Sequence, residues 1–514
     1  MRLAIIADPH VHDTRFDPRG DGSGALRTIG DTIESTRVFN ESLPAFREAL
    51  RQVAAQGIKL VVIVGDLTDD GQLYARRAML ALLEQFTSRH GIRFFATFGN
   101  HDLFALDGRP MAKRFARAGG GADLVGSEPG ADVVHMAMFC PGYAETIQSF
   151  GALGFMRHPA DRHWESPFGP ADAPASRRYT VATDDHAAGT EMIDGSYLVE
   201  PVEGLWLLSI DANVYLRAGA GFADRSAEGW GAAVRHKPFL LDWIADVTAR
   251  AAHLGKQLVV FSHYPVAGPF PGAAADEATL FGTPQTRRPV APAVSRALFD
   301  AGLRVHFSGH FHVAGILARD GLVNISAPSL VAYPAAYQVL DIGADGTTLQ
   351  TIPLGDTPGY DEAHASYGRG ADASFLNAAS GYADFLDRHL ALLVRDRYVP
   401  LEWPAAVAKL APADVPLLDF AHDWYRLRKA GSLARDLVPP ARIAAYRAIA
   451  ADLAVRRPAP GSGEAALAAA LRLMEAILAA PDLSHHRLDL TLGVARSGAI
   501  SGAPSAATPA SAGR

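Results

Sequence analysis

The chain has 514 residues, with 48 Lys and Arg against 55 Asp and Glu, and so a formal charge of −7. At 49% hydrophobic and 20% charged residues it has the composition of a globular protein, which excludes a disordered or fibrous chain. A single cysteine, Cys140, beside 19 histidines excludes an internal disulfide framework and any zinc site built on two thiolates, so a bound metal must be held by histidine and carboxylate.

The apolar run from Met1 stops at Asp8, too soon for the core of a signal peptide. The Ala-rich stretch Ala465 to Ala480 is interrupted by Arg472 and Glu475, and no run reaches membrane-spanning length. Mild acidity provides no broad footprint for nucleic acid or an anionic membrane. The expectation is a cytoplasmic chain with neither as partner.

Short apolar runs at Arg2 to Ala7, Leu60 to Val64, Arg93 to Phe98, Leu205 to Ile210, Gln257 to Phe261 and Arg304 to Phe307 read as buried strands. Between the first three lie helical patterns: Phe46, Leu50 and Val53 share a face, as do Ala78, Leu82 and Phe86. Alternation of this kind predicts crossover units and a largely parallel sheet. Residues from about 105 to 200 are rich in Gly, Pro, Asp and His; they read as an insertion over the edge of the site or a surface excursion, with no core element expected. Leu322 to Ile325, Tyr337 to Ile342 and Thr347 to Ile352 follow, the last two joined at Gly343-Ala344-Asp345-Gly346 as an antiparallel hairpin.

From about residue 370 the composition turns to Ala, Leu and Arg. One apolar stripe runs through Phe375, Ala379, Tyr382, Leu386, Leu390 and Leu393, and another through Ile443, Tyr446, Ile449 and Leu453. Pro-rich breaks at Pro412 to Pro416, Pro439-Pro440 and Pro458 to Gly463 divide the region into helices. The division expected is a catalytic domain at 1–357, an α-helical region at 358–495 and a disordered tail at 496–514. The helical stripes either pack on the catalytic domain, the favoured reading, or join copies of the chain.

Five polar motifs stand at the ends of predicted strands: Asp8-Pro9-His10, Gly65-Asp66, Gly99-Asn100-His101-Asp102, Ser262-His263 and Gly309-His310-Phe311-His312. In open α/β sheets ligands collect beyond the carboxyl ends of strands, where such residues converge. Side chains alternate along an extended segment, so Asp8 and His10, and likewise His310 and His312, are expected to point to one side. Glycines at 65, 99 and 309 allow sharp turns and close backbone approach. Nitrogen and oxygen donors without thiolate suit Fe, Mn, Zn or Co.

This series resembles the calcineurin-like metallophosphoesterase family, whose pattern D-x-H, G-D, G-N-H-D/E, H, G-H-x-H is met in full within about residues 1 to 355. The resemblance implies an α/β fold of two mixed β-sheets packed as a sandwich flanked by helices, with the α-helical C-terminal extension outside it. It also implies two divalent or trivalent transition-metal ions, Fe, Mn or Zn. Carried over by position, Asp8, His10, Asp66 and His312 would hold one metal. Asp66, Asn100, His263 and His310 would hold the other. His101 would stabilise or protonate the leaving oxygen, with Asp102 orienting it. That shell contains two carboxylates, Asp8 and Asp66, so two divalent ions would turn a repulsive site into one that attracts phosphate and lowers the pKa of bound water to about 7.

The function expected is a binuclear metal-dependent phosphohydrolase acting on a small phosphoester, with a bridging hydroxide attacking phosphorus. A phosphodiesterase is favoured, because Gly65-Asp66-Leu67-Thr68-Asp69-Asp70-Gly71 loosely resembles the bacterial class III cyclic-nucleotide phosphodiesterases. A phosphomonoesterase, a nuclease, which the net charge disfavours, and a binding scaffold without activity are the alternatives. Other polar residues have blander readings. His12 is a solvated loop residue or a pocket wall, His306 a sheet histidine, His485-His486 part of a helical tail, and Cys140 a packed side chain. Tyr264 shapes a Tyr-Pro turn or flanks the substrate, Asp211 and Asn213 cap a loop or face the site, and Arg177-Arg178 is a surface pair or receives a second phosphate or a ribose-linked group.

Overall fold

In the computed structural model the described residues are 1–488 without 119, 184–185, 269–275, 277–289, 344–345, 369 and 404–414. The expected tail at 496–514 and the centre of the hairpin turn lie outside them. Two mixed sheets are present. The first has six strands in the order His486–Leu488, Gly346–Pro353, Ala336–Gly343, Arg2–Ile6, Leu60–Val64 and Arg93–Thr97. The second has seven, in the order Gly315–Arg319, Leu322–Ser326, Val305–Ser308, Gln257–Ser262, Leu205–Ile210, Tyr197–Val202 and His163–Glu165. The parallel core of each sheet is the set of apolar runs seen in the sequence: the last three strands of the first sheet pair in parallel, as do Leu205–Ile210, Gln257–Ser262 and Val305–Ser308 in the second.

The period of two along a strand explains the layering. Leu205 and Leu207 join the main core between the sheets, while Trp206, Leu208 and Ile210 join a second cluster with Leu240, Ile244 and Leu298 on the helices Phe239–Leu254 and Pro292–Asp300. The sheets are also tied by polar bonds, Thr97 Oγ1 donating to the Ile210 carbonyl at 3.0 Å and Ser209 Oγ to that of Ala96 at 3.1 Å. Helices Ser42–Ala55 and Leu73–His90 bury Phe46, Leu50, Val53, Leu82 and Phe86 in the main core, as their spacing predicts.

The segment 105–200 departs from expectation. It supplies two strands of the second sheet, His163–Glu165 and Tyr197–Val202, and buries Phe150, Phe155 and Tyr197 completely. The signal is weak because the elements are short and Pro201 stands inside a strand, where the register shifts between Val199 and Val202.

The helical region packs on the catalytic part, and one apolar core runs through both. Tyr382 donates to the Leu330 carbonyl at 2.8 Å, and His389 Nε2 lies 2.8 Å from that of Thr32. The stripe from Phe375 to Leu393 is not one helix: Ala371–Asn377 ends before a break at 378–381, Tyr382–Leu393 follows, and Phe375 is exposed. His485-His486 is not helical either, since His486–Leu488 adds an edge strand antiparallel to Gly346–Pro353. Among the described residues no helix is long and apolar enough to cross a membrane.

Candidate active site

All five motifs follow the carboxyl ends of strands, and they meet at one edge of the sandwich. The local geometry differs from the alternation expected. Asp8, His10, Asp66, His310 and His312 have φ of 47°, 41°, 49°, 72° and 52°, a left-handed backbone that L residues adopt at a cost. Left-handed residues, rather than an extended segment, bring Asp8 and His10 into one donor group and, against the expectation for the second pair, send His310 and His312 to different ones. Backbone strain of this kind persists where the surrounding structure holds it and concentrates at functional sites. Two glycines make room: a Cβ at Gly99 would collide with the Asp66 carboxylate, and one at Gly309 with that of Asp8.

The donors form two groups, Asp8 with His10 and His312, and Asp66 with His263 and His310. In the first, His10 Nε2 lies 3.2 Å from His312 Nε2, and His312 Nε2 lies 3.5 Å from Asp8 Oδ1. In the second, His263 Nε2 lies 3.2 Å from Asp66 Oδ2, from His310 Nδ1 and from Asn100 Oδ1. Asp66 Oδ2 is also 3.5 Å from His10 Nε2, so this carboxylate stands between the groups. Neighbouring donors around an ion held at about 2.0–2.2 Å are separated by about 3.0–3.5 Å. The buried oxygen and nitrogen donors therefore fit a pair of transition-metal ions.

Protonation supports that fit. Burial, with the nearby Arg37 charge, holds His10 well below the usual histidine range, and burial lowers His312, leaving neutral rings with lone pairs to offer. Burial opposes charge on His263, but Asp66 and Asp8 push it up to about 9; an ion at Nε2 would take the place of that proton. Its Nδ1 lies 3.0 Å from the Val64 carbonyl, which fixes the ring with Nε2 facing the site.

His101 stands at the same edge, its backbone N–H donating to Asp66 Oδ1 at 2.9 Å. Its ring partner is not Asp102. His101 Nδ1 lies 2.5 Å from Asp70 Oδ1, and Lys113 from the insertion pairs with the other Asp70 oxygen. Burial disfavours the imidazolium, but Asp66 and Asp70 raise the His101 pKa. Asp102 is fully buried and accepts the backbone N–H groups of Leu67 at 2.8 Å, Thr68 at 3.2 Å and Gly99 at 2.8 Å. It ties two site loops together through these three N–H groups, while the His101 ring turns to Asp70.

The remaining sequence candidates are structural. His12 is buried, bonded to Tyr74 Oη at 2.7 Å and the Ala25 carbonyl at 2.6 Å. His306 lies between Ser262 Oγ at 2.9 Å and Asn324 Oδ1 at 3.0 Å. Cys140 is buried, and burial pushes its thiol up to about 12. Tyr264 donates to Asn213 Oδ1 at 2.7 Å, and Asn213 Nδ2 to the Phe98 carbonyl at 3.2 Å, so both brace the loop carrying Asn100. Asp211 caps backbone at Gly195 and Asn213 and pairs with buried Lys237. Arg177 is sealed against Trp164 rather than lying at the surface, and Arg178 pairs with Glu191.

A cavity of about 310 Å³ opens over the donors. Its walls include Arg37, Arg397, Tyr398 and Lys429, none of which the sequence motifs indicate. The acids Asp69 and Asp70, separated from Gly65-Asp66 by Leu67 and Thr68, are the one available signal for the partner of His101. Arg397 and Lys429 had none, being more than 80 residues beyond the last motif.

The family model of the calcineurin-like phosphoesterases matches residues 1–314. A search of curated proteins finds no match. Among solved structures, a dimetal phosphatase from Danio rerio is 13% identical, covering 69% of this chain and 96% of its own, with a TM-score of 0.39. A purple acid phosphatase from yellow lupin is 11% identical over 69% of this chain and 51% of its own, with a TM-score of 0.31. A putative 5′-nucleotidase from Staphylococcus aureus is 11% identical over 69% and 54%, also with a TM-score of 0.31. Likenesses at these scores carry no argument about substrate.

Proposed function

We propose, because the chain belongs to the calcineurin-like phosphoesterase family, that it is a metal-dependent hydrolase of small phosphodiesters. In this reading Asp8, His10, Asp66 and His312 hold one ion, and Asp66, Asn100, His263 and His310 hold a second. The supporting observation is the pair of donor groups with Asp66 between them. Bound there, two ions supply Lewis-acid charge and a water of lowered pKa.

The chain's own part is proton delivery and orientation. Asp70 accepts from His101 Nδ1, which leaves Nε2 to carry the proton given to the departing ester oxygen. Lys113 holds Asp70 from its far side. Asp102 and Asn213 hold the backbone around His101 and Asn100 in place. One acid suits a diester, in which one ester oxygen leaves while the other substituent stays.

The test is a panel of bis(p-nitrophenyl) phosphate, p-nitrophenyl phosphate and cyclic nucleotides with Mn, Fe and Zn, alongside metal analysis. About two metal equivalents and faster turnover of the diester are expected. Fewer than about one equivalent with no activity on reconstitution would sink the reading. Faster turnover of the monoester would replace the diester preference by a phosphomonoesterase.

A further inference from the structure

The helix Tyr382–Leu393 runs into a single π-helical turn, Val394–Tyr398, before α-helix resumes at Val399. Such wide turns are rare and gather at functional sites. This one places Arg397 and Tyr398 on the wall of the cavity that also contains the metal donors. From the next helix, Leu417–Ala430, Lys429 reaches the same wall. Its Nζ donates to the carbonyl of Phe311, between His310 and His312, at 3.1 Å, and its own carbonyl accepts from Ala314 N–H at 2.7 Å.

The charges around the cavity are unevenly satisfied. Arg37 is paired with Asp69 at 2.9 Å, and Lys113 with Asp70. Asp66 faces the metal donors. Arg397 is different: its Nη1 donates to the Glu34 carbonyl at 2.8 Å, a neutral acceptor. Among the described residues no carboxylate pairs with it. A guanidinium with five N–H donors, one so used, is suited to a planar or tetrahedral oxyanion.

We propose that Arg397 and Lys429, brought to the cleft by the C-terminal helical region, form an anion subsite that grips a second phosphate of the substrate, apart from the phosphoester that is cleaved. The proposal rests on the hydrolase reading above and narrows its substrate to a small phosphodiester bearing another phosphate. The metal donors and this cationic pair line the same cavity of about 310 Å³, so one small molecule held in it can meet both. The pair Arg177-Arg178 leaves the role open, since one guanidinium is buried and the other is matched by Glu191.

The test uses the full chain loaded with Mn. Two substrates share one reacting diester and one leaving group: the p-nitrophenyl ester of thymidine 5′-phosphate, with and without a 3′-phosphate. Calorimetry in parallel measures binding of thymidine 3′,5′-bisphosphate and of thymidine 5′-phosphate. The wild type is expected to favour the doubly phosphorylated member by about tenfold, in KM rather than kcat and in Kd. Arg397→Ala should bring both ratios close to one, Arg397→Lys should restore part of them, and Arg178→Ala should leave them as in the wild type. Equal binding of the two thymidine phosphates by the wild type, or a preference that survives Arg397→Ala in folded protein, would overturn the subsite. A chain that cleaves neither ester yet shows an Arg397-dependent binding ratio would defeat the hydrolase reading and uphold the subsite.

Discussion

His101 Nδ1 and Asp70 Oδ1 are 2.5 Å apart, and the Asp70 side chain is held from its other oxygen by Lys113. The pair joins two strand-end loops, one following Leu60–Val64 and one following Arg93–Thr97. Asp70→Asn keeps the shape but removes the charge that favours protonated His101. It is expected to lower kcat by about tenfold to a hundredfold with metal content retained, less than the roughly 10²–10⁴-fold that a positioned general acid itself contributes, because His101 stays in place. Asp102→Asn should act differently, since it turns an amide N–H₂ toward backbone N–H groups. Its expected effect is a loss of about 1–3 kcal/mol of stability, read by denaturant titration. Asp102→Asn with full stability and the larger kcat loss would reverse the two roles.

Legibility in the sequence follows from where the information is local. The strands at Leu60–Val64 and Leu205–Ile210 were readable because every residue in them is buried, and each metal-donor motif was readable because it begins directly after such a run. The backbone of Asp8 and His310 was not, because a left-handed φ on a non-glycine residue is imposed by the surrounding packing rather than chosen by the residue. The partner of His101, Asp70, is hidden from the sequence for a related reason. Asp102 is adjacent in sequence, but its carboxylate turns back to three backbone N–H groups, and proximity along the chain says nothing about that.

Asp66 and His306 separate chemistry from stability. Asp66 Oδ2 lies within 3.5 Å of both His10 and His263, so Asp66→Asn is expected to reduce bound metal and abolish hydrolysis while the fold remains. His306 is fully buried between Ser262 and Asn324. His306→Ala should cost about 1–3 kcal/mol and leave activity per folded molecule close to that of the wild type. Metal analysis and thermal melting on the same preparations check both; comparable loss of specific activity in folded His306→Ala protein would contradict the contrast.

The boundary near residue 357 does not divide two independent cores. Tyr382, Phe385 and Leu390 belong to the same apolar cluster as Leu3, Val62 and Leu330, and the edge strand His486–Leu488 completes the first sheet. A chain ending at residue 357 is expected to expose apolar surface, bind a hydrophobic dye and lack a cooperative melting transition. A truncated chain with the full-length melting temperature and metal content would show that the catalytic part folds alone.

Glu41 makes a pH-dependent contribution away from the metal donors. Its carboxylate is fully buried, accepts from Tyr367 Oη at 2.6 Å and lies 3.9 Å from His364 Nε2. Burial raises its pKa from 4.5 to about 7, against the opposing Tyr367 bond. Between these values the folded chain binds more protons at Glu41 than the unfolded chain does, so stability falls as pH rises through the window. The two and a half units correspond to about 3 kcal/mol, present below about pH 4.5 and lost above about pH 7. Glu41→Gln keeps a neutral side chain of the same shape at every pH. Urea titrations from pH 5 to pH 8 should therefore show the variant gaining on the wild type as pH rises, because only the wild type must ionise or desolvate a carboxylate there. Parallel pH profiles for the two chains would mean that Glu41 titrates in the folded protein as it does in the unfolded one.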